Sequence, residues 1–273
     1  MLNPLQSTVL PPAGTDEHRL RVATYNIHKG VRGIGPLKRL EIHNLGLAVE
    51  ALDADIVCLQ EVRQFHRRDQ RHFERTWFGW PAGGQAEFLA PEGYDVAYRT
   101  NAVTRHGEHG NALLARWPIG EPRQRDVSDH RFEQRGLLHV PVQWQGRTVE
   151  TVVVHFGLAH ASRVRQVQRL ADFVERELDP AVPLLVAGDF NDWGERLDGA
   201  LREAGLTRAR APSGGVASQH RSLTFPSLAP VFALDRIYTR GLRCASTFVP
   251  RGASWARMSD HLPLVAEFEL AGT

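Results

Sequence analysis

The sequence predicts an α/β fold made of two stacked mixed β-sheets with helices on their outer faces. Three observations carry this expectation. Apolar, often alternating runs rich in Val, Ile, Leu and Thr recur from residue 20 to residue 270, enough for a large sheet or two. Helical periodicities are too few and too widely separated to bridge every pair of strands, as an alternating parallel sheet requires. Short polar turns such as QWQGRT at 143–148 suit hairpins between neighbouring strands.

In chain order, strands are expected at LRVATYN (20–26), DIVCLQ (55–60), NALLAR (111–116), GLLHVPVQW (136–144), RTVETVVVHF (147–156), PLLVAG (183–188), LDRIYT (234–239) and LVAEFEL (264–270). The strongest helix signal lies at 163–178, where Val164, Val167, Leu170, Ala171, Val174 and Leu178 share one face. A second helix is predicted over 36–55, with Pro36 in its first turn and Leu40, Leu45, Val49 and Leu52 spaced for burial. RLDGALREAG at 196–205 fits a short third. The least regular stretch is 62–92, with Arg63, Arg67, Arg68, Arg71 and Arg75 followed by Trp77, Phe78 and Trp80. It reads either as a solvated helix face followed by aromatic side chains packed on the core, or as a basic, aromatic segment that contacts substrate.

Composition fits a globular chain: 42% hydrophobic and 23% charged residues over 273 positions. No linker-like tract divides it, so one domain over 19–273 is expected, preceded by a flexible tail at 1–18 that Pro4, Pro11, Pro12 and Gly14 keep irregular. A net charge of +2 is too small to argue nucleic-acid binding by itself. The two cysteines, Cys58 and Cys244, are read as reduced, packed thiols rather than a disulfide framework. Neither a secretory signal nor an apolar run of membrane-spanning length is seen, so a cytoplasmic monomer is expected.

Polar residues of similar chemistry close several of the apolar runs. Asn26 ends the first strand and brings His28 to the same rim, although an Asn in that place also serves as a turn former. GVRGIG at 30–35 lacks the glycine order of a dinucleotide loop and the ending of a P-loop. Glu61 follows DIVCLQ, where a carboxylate can ligate a hard divalent cation such as Mg2+. His155 ends another strand, and GDFND at 188–192 puts Asp189 and Asn191 on one side of an extended chain with Phe190 opposite. Asp235 is the natural carboxylate to orient His261, with a salt bridge to Arg236 as the alternative. SDHLPL at 259–264 sets Asp260 and His261 side by side. His106 and His109, in HGEHGN, are read as loop residues, and no serine-hydrolase elbow is present.

Taken in order, YNIHKG, LQEV, GNALLAR, VHFGL, GDFND, FPS, LDRIY and SDHLPL resemble the motif set of the endonuclease/exonuclease/phosphatase superfamily, the DNase I-like group, over about residues 20–270. The resemblance implies a four-layered α/β sandwich and a metal-dependent phosphoric diester hydrolase. A nuclease, endo- or exo-acting, is expected first. A phospholipid or small-molecule phosphoesterase, or a non-catalytic binding module on the same scaffold, is the alternative. It implies Mg2+ or Mn2+ held by Asn26 and Glu61, with Glu61 the principal ligand and Asp260 near a possible second metal position. Asp189 would orient or deprotonate the attacking water, and Asn191 would hold a phosphate oxygen or the nucleophile. His155 would contact phosphate or donate a proton, and His261 would be the essential histidine, oriented by Asp235. Some nucleases of the group carry an acid where this chain has His28, a departure that leans towards one ion.

Overall fold

The computed structural model describes residues 19–33, 35–74, 76, 79–211 and 222–271. The expected tail at 1–18, Arg75, Trp77 and Phe78 lie outside the described residues. The chain runs β1 (Leu20–Asn26), β2 (Val31–Arg32), β3 (Arg39–Leu40), α1 (Ile42–Leu52), β4 (Ile56–Val62), α2 (Arg67–Phe73), α3 (Gln85–Leu89), β5 (Asp95–Thr104), β6 (Gly107–Ala115) and β7 (Arg123–Asp126). It continues through β8 (Gly136–Trp144), β9 (Arg147–His155), α4 (His160–Glu177), β10 (Leu184–Asp189), α5 (Asp198–Glu203), β11 (Thr207–Arg208), β12 (Asp235–Arg240), β13 (Leu242–Phe248), α6 (Trp255–Met258) and β14 (Leu264–Leu270).

The main strands form two six-stranded sheets, β13-β14-β1-β4-β6-β5 and β11-β12-β10-β9-β8-β7. Each is mixed: β1 and β4 are parallel in the first, β9 and β10 in the second, and the other pairings are antiparallel. Alternation along the strands explains the stacking. In β1, Leu20 and Val22 join Ile56, Leu113, Val140, Val153, Leu185 and Ile237 in a core between the sheets, while Ala23 and Tyr25 face the opposite way against Ile42, Leu45 and Val49 of α1. On the far side, Val152, Val154 and Val186 pack under Val167, Leu170 and Phe173 of α4 and Leu201 of α5. Helices, sheet, sheet and helices thus form the four layers. The end of β9 at 152–154 and most of β10 are apolar on both faces and read as continuous hydrophobic runs. Both cysteines are free, and burial between the sheets pushes the Cys58 thiol up to about 12.

Several boundaries differ from expectation. The helix foreseen over 36–55 begins only at Ile42. Gly35–Leu37 makes a single 3-10 turn, Val31 pairs with Leu40, and the Glu41 N–H donates to the Gly30 carbonyl at 2.9 Å, so these backbone groups are already committed. In α4 the buried stripe is rotated: Val164 is exposed, whereas Arg163, Gln166 and Phe173 are buried. Gln166 Oε1 accepts from Gly157 N at 2.8 Å and Arg163 Nη1 donates to Gly157 O at 3.2 Å, so the connection that leads from β9 into α4 turns this polar face inward. β5, β7 and β13 were not foreseen. His109 does not lie in a loop but in β6, paired with Ala102. Gly110 is there because a Cβ would come within 1.9 Å of the Arg99 carbonyl; the glycine serves close strand approach rather than a turn. The hairpin at QWQGRT is as expected, with Gln145 and Gly146 both at positive φ and Trp144 paired with Arg147. Among the described residues, no helix is long and apolar enough to cross a membrane.

Candidate active site

The sequence-predicted residues converge where β1, β4, β9, β10 and β12 meet at one edge of the sandwich. Register explains it: Asp189 is paired with His155 on one side and with Asp235 on the other, while Asn26 is paired with Gln60, the neighbour of Glu61. Polar groups appear where the apolar ladders stop because inside the layers they would lack partners.

Asp189 is the hub. Its Oδ2 accepts from Asn26 Nδ2 at 3.1 Å, which ties the two sheets together, and lies 3.6 Å from His155 Nε2 and 3.7 Å from His261 Nε2. Its Oδ1 accepts from the Asn191 N–H at 2.9 Å, and Asn191 Nδ2 donates to the Phe156 carbonyl at 2.9 Å. Asn191 holds φ near 49°, a left-handed backbone that Asn tolerates well. Asp235 Oδ2 stands 2.8 Å from His261 Nδ1, which fixes the ring and directs Nε2 towards Asp189. The two sides of the LDR motif therefore serve different partners. Arg236 does not pair with Asp235; it is fully buried and donates from Nη1 to Asp192 Oδ2 at 2.8 Å and from Nη2 to the Asp192 carbonyl at 2.7 Å, bracing the loop that carries Asn191.

The electrostatics divide the two histidines. Burial disfavours the His261 imidazolium, but the carboxylates of Asp235 and Asp189, with Asp260 beyond, outweigh it and push the pKa up to about 10. For His155, burial together with the nearby Arg135 charge overcomes Asp189 and Glu61 and brings the pKa down to about 4. At neutral pH the site therefore holds one charged and one neutral imidazole.

Glu61 and Asp260 form an acidic rim beside this cluster. Glu61 sits in a bulge where the β4–β6 register shifts between Leu59 and Val62, and its φ is 58°, a conformation costly for a residue of this size. Burial raises its pKa, yet the charges of Lys29, His155 and His28 carry it well below the usual carboxylate range. Lys29 Nζ lies 2.8 Å from the buried Glu61 Oε2, so this oxygen is held by an ammonium. His28 Nδ1 lies 3.1 Å from Asp260 Oδ2, and the Asn26 Oδ1 accepts from the His28 N–H at 3.1 Å. Among the described residues, no group of three or more His, Cys, Asp and Glu side chains is arranged to hold a metal ion. Glu61 and Asp260 are near enough for the Glu61 charge to act on Asp260.

Sequence reasoning missed Lys29, Ser259, Arg135 and Phe225. Ser259 Oγ donates to the Asn26 carbonyl at 2.7 Å and accepts from the His261 N–H at 3.3 Å. The Phe225 ring lies 4.9 Å from that of His261. For Lys29, Ser259 and Phe225 their places inside the motifs HKG, SDH and FPS were the available signal, whereas Arg135 lies in no motif. Of the basic segment after Glu61, Arg63 is buried in an ion pair with Asp69, so its charge faces inward, whereas Arg67, Arg68 and Arg71 are exposed.

Known proteins resemble this chain in sequence and in fold. An uncharacterized Escherichia coli protein, YbhP, is 38% identical over 263 residues, covering 95% of this chain and all of that one. Among solved structures, an endonuclease/exonuclease/phosphatase from Beutenbergia cavernae superposes with a TM-score of 0.71 at 20% identity, over 93% of this chain and 72% of that one. The human Nocturnin catalytic domain, solved with a bound sulfate anion, gives 0.65 at 21% identity, over 97% of this chain and all of that one. Residues 23–261 match the Endonuclease/Exonuclease/phosphatase family, a span that runs from β1 to His261 and contains the whole constellation. The chain belongs to that family of phosphoester hydrolases and has its DNase I-like fold.

Proposed function

We propose that the protein is a divalent-metal-dependent phosphodiester hydrolase that acts on nucleic acid. The observation that carries the proposal is the focus of Asn26, His155 and His261 on one oxygen of Asp189, with His261 held as an imidazolium by Asp235. A phosphodiester is anionic and repels a nucleophile, so charge growing on the non-bridging oxygens must be offset as water attacks. His261 is charged up to about pH 10 and at neutrality has no site to accept a proton; it clamps the phosphate. Asp189 orients the water and takes its proton, and the amide oxygen of Asn191 holds the same water in line. His155, neutral, offers its Nε2–H to a phosphate oxygen.

The donor set of Glu61, Asp260 and the Asn26 amide is all oxygen, with one or two carboxylates, as Mg2+ or Mn2+ prefers, and the buried Glu61 Oε2 already draws a cation, the Lys29 ammonium 2.8 Å away. These three residues would hold the ion, which when bound supplies Lewis-acid stabilisation of the phosphate. The His28 contact with Asp260 favours a single ion. One observation favours a phospholipid substrate instead: Trp193, packed on Phe225 and Phe232, is 42% exposed, and Leu228 and Val231, in the loop that carries those two rings, are more so.

A hydrolysis panel decides. Plasmid, single strands, phospholipid and bis-p-nitrophenyl phosphate are offered with Mg2+, Mn2+ or EDTA, using Asp189→Asn as the control. The proposal expects turnover of nucleic acid and the small diester, its loss in EDTA, and a drop of about 10²-fold or more in the control. Metal-independent turnover or an equally active control would refute the mechanism. Preference for phospholipid would replace the substrate.

A further inference from the structure

On the His155 side of the site, the seam between the sheets opens into a groove of about 370 Å³, lined by residues that include Val103, His109, Arg131, Phe132 and Arg135. One bank is the β5–β6 hairpin and the other is the loop at 130–135 that leads into β8. The banks are tied to each other and to the site. Gln134 Oε1 accepts from Val103 N at 2.9 Å, and Glu133 Oε1 accepts from Leu158 N at 3.1 Å, just beyond His155. The Arg135 charge is felt at both His109 and His155.

The lining has an unusual character. Phe132 is 81% exposed, with the Arg131 guanidinium 4.7 Å from its centre, and Val103 opposite is 67% exposed. An aromatic ring left so open, paired with a cation, is a stacking platform rather than part of a core. Arg135 Nε is buried with no hydrogen-bond partner, while its Nη2 donates to Glu133 Oε1 at 3.3 Å. Glu133, the carboxylate of the groove, is thereby committed to Arg135 and the Leu158 N–H. The remaining charge is positive. The volume suits one nucleotide-sized group, and a paired base could reach Phe132 only by leaving its stack.

We infer that this groove is a subsite for one unpaired nucleotide of a single-stranded nucleic acid, its base stacked on Phe132 beside Arg131 and its phosphate facing Arg135. The inference rests on the proposed phosphodiesterase function and narrows its substrate to single strands.

Fluorescence anisotropy tests it with the full chain in EDTA, so that binding is read without cleavage. The probes are a fluorescein-labelled 12-nucleotide oligothymidylate and a 12-base-pair duplex. The expected result is tighter binding of the single strand, about tenfold or more weaker binding of that strand by Phe132→Ala, retention in Phe132→Trp, and a shallower salt dependence in Arg131→Ala. Equal affinity for both probes, no binding of the single strand, or an unchanged Phe132→Ala would overturn the subsite. Turnover of bis-p-nitrophenyl phosphate by the wild type with Mn2+ is measured alongside. Its absence would count against the proposed function, while the binding arm reports on the groove independently.

Discussion

The Asp189 cluster and the acidic rim beside it are built on different principles. Around Asp189 the side chains are almost wholly buried and locked by directed contacts: Asp235 on His261, Asn26 and the Asn191 N–H on Asp189. At the rim, Glu61 meets the Lys29 ammonium and Asp260 meets the His28 ring and the Ser259 hydroxyl, in a more open setting with Lys29 at 28% and His28 at 39% side-chain exposure. Directed contacts fix geometry and cost little reorganisation during a reaction, whereas an ammonium on a flexible four-carbon stem neutralises a carboxylate without fixing it. The first arrangement suits groups that must aim at a transition state. The second suits oxygens that exchange one cation for another.

The difference can be broken at either end. The largest effect is expected from His261→Ala, which removes the aimed charge: kcat on bis-p-nitrophenyl phosphate should fall about 10³-fold with the far-UV circular dichroism of the folded protein retained. A loss smaller than tenfold would detach His261 from the chemistry. Next comes Asp235→Asn, with about 10²-fold lower kcat at pH 8. The imidazolium is the active form, so activity declines as pH rises through its pKa. That decline should lie near pH 10 in the wild type and move down towards the ordinary histidine range near 6.5 in the variant. A pH–rate profile with the same alkaline limb in both would show that Asp235 does not hold the charge.

At the rim, Glu61→Gln should leave kcat at saturating Mn2+ within about tenfold while raising the half-saturating concentration about tenfold or more, read by metal titration. An unmoved titration would remove Glu61 as a ligand. Ser259→Ala is the mildest test, because Ser259 binds the Asn26 carbonyl and the His261 N–H and so links both parts. Loss of such a buried hydrogen bond costs about 1 kcal/mol, which in a domain of this size lowers Tm by about 2–4 °C. A kcat loss beyond tenfold would assign Ser259 a larger part in aiming His261.

Much of this site was legible because each main residue closes an apolar run. The bounds of β1, β8 and β14 agree with the sequence pattern, and Asp189, His155, Asp235 and His261 are brought together as the motifs implied. What escaped depends on contacts that leave no periodic trace in the sequence. Arg163 and Gln166 are turned inward by Gly157, which no helical periodicity reports. His109 looked like a loop residue because its flanking glycines look the same whether they make a turn or admit a neighbouring strand. Lys29 lies on no periodic face, since its φ of 63° follows an equally left-handed His28. The Arg63 side chain, read from charge alone, gave no sign of the Asp69 that buries it.

The first sheet is completed out of sequence: β1 pairs with β4 on one side and with β14, the last strand of the domain, on the other. His261 stands just before β14. During synthesis, Glu61, His155 and Asp189 therefore leave the ribosome well ahead of the imidazole that must face them, and that imidazole reaches its place only when the final hairpin docks beside the opening strand.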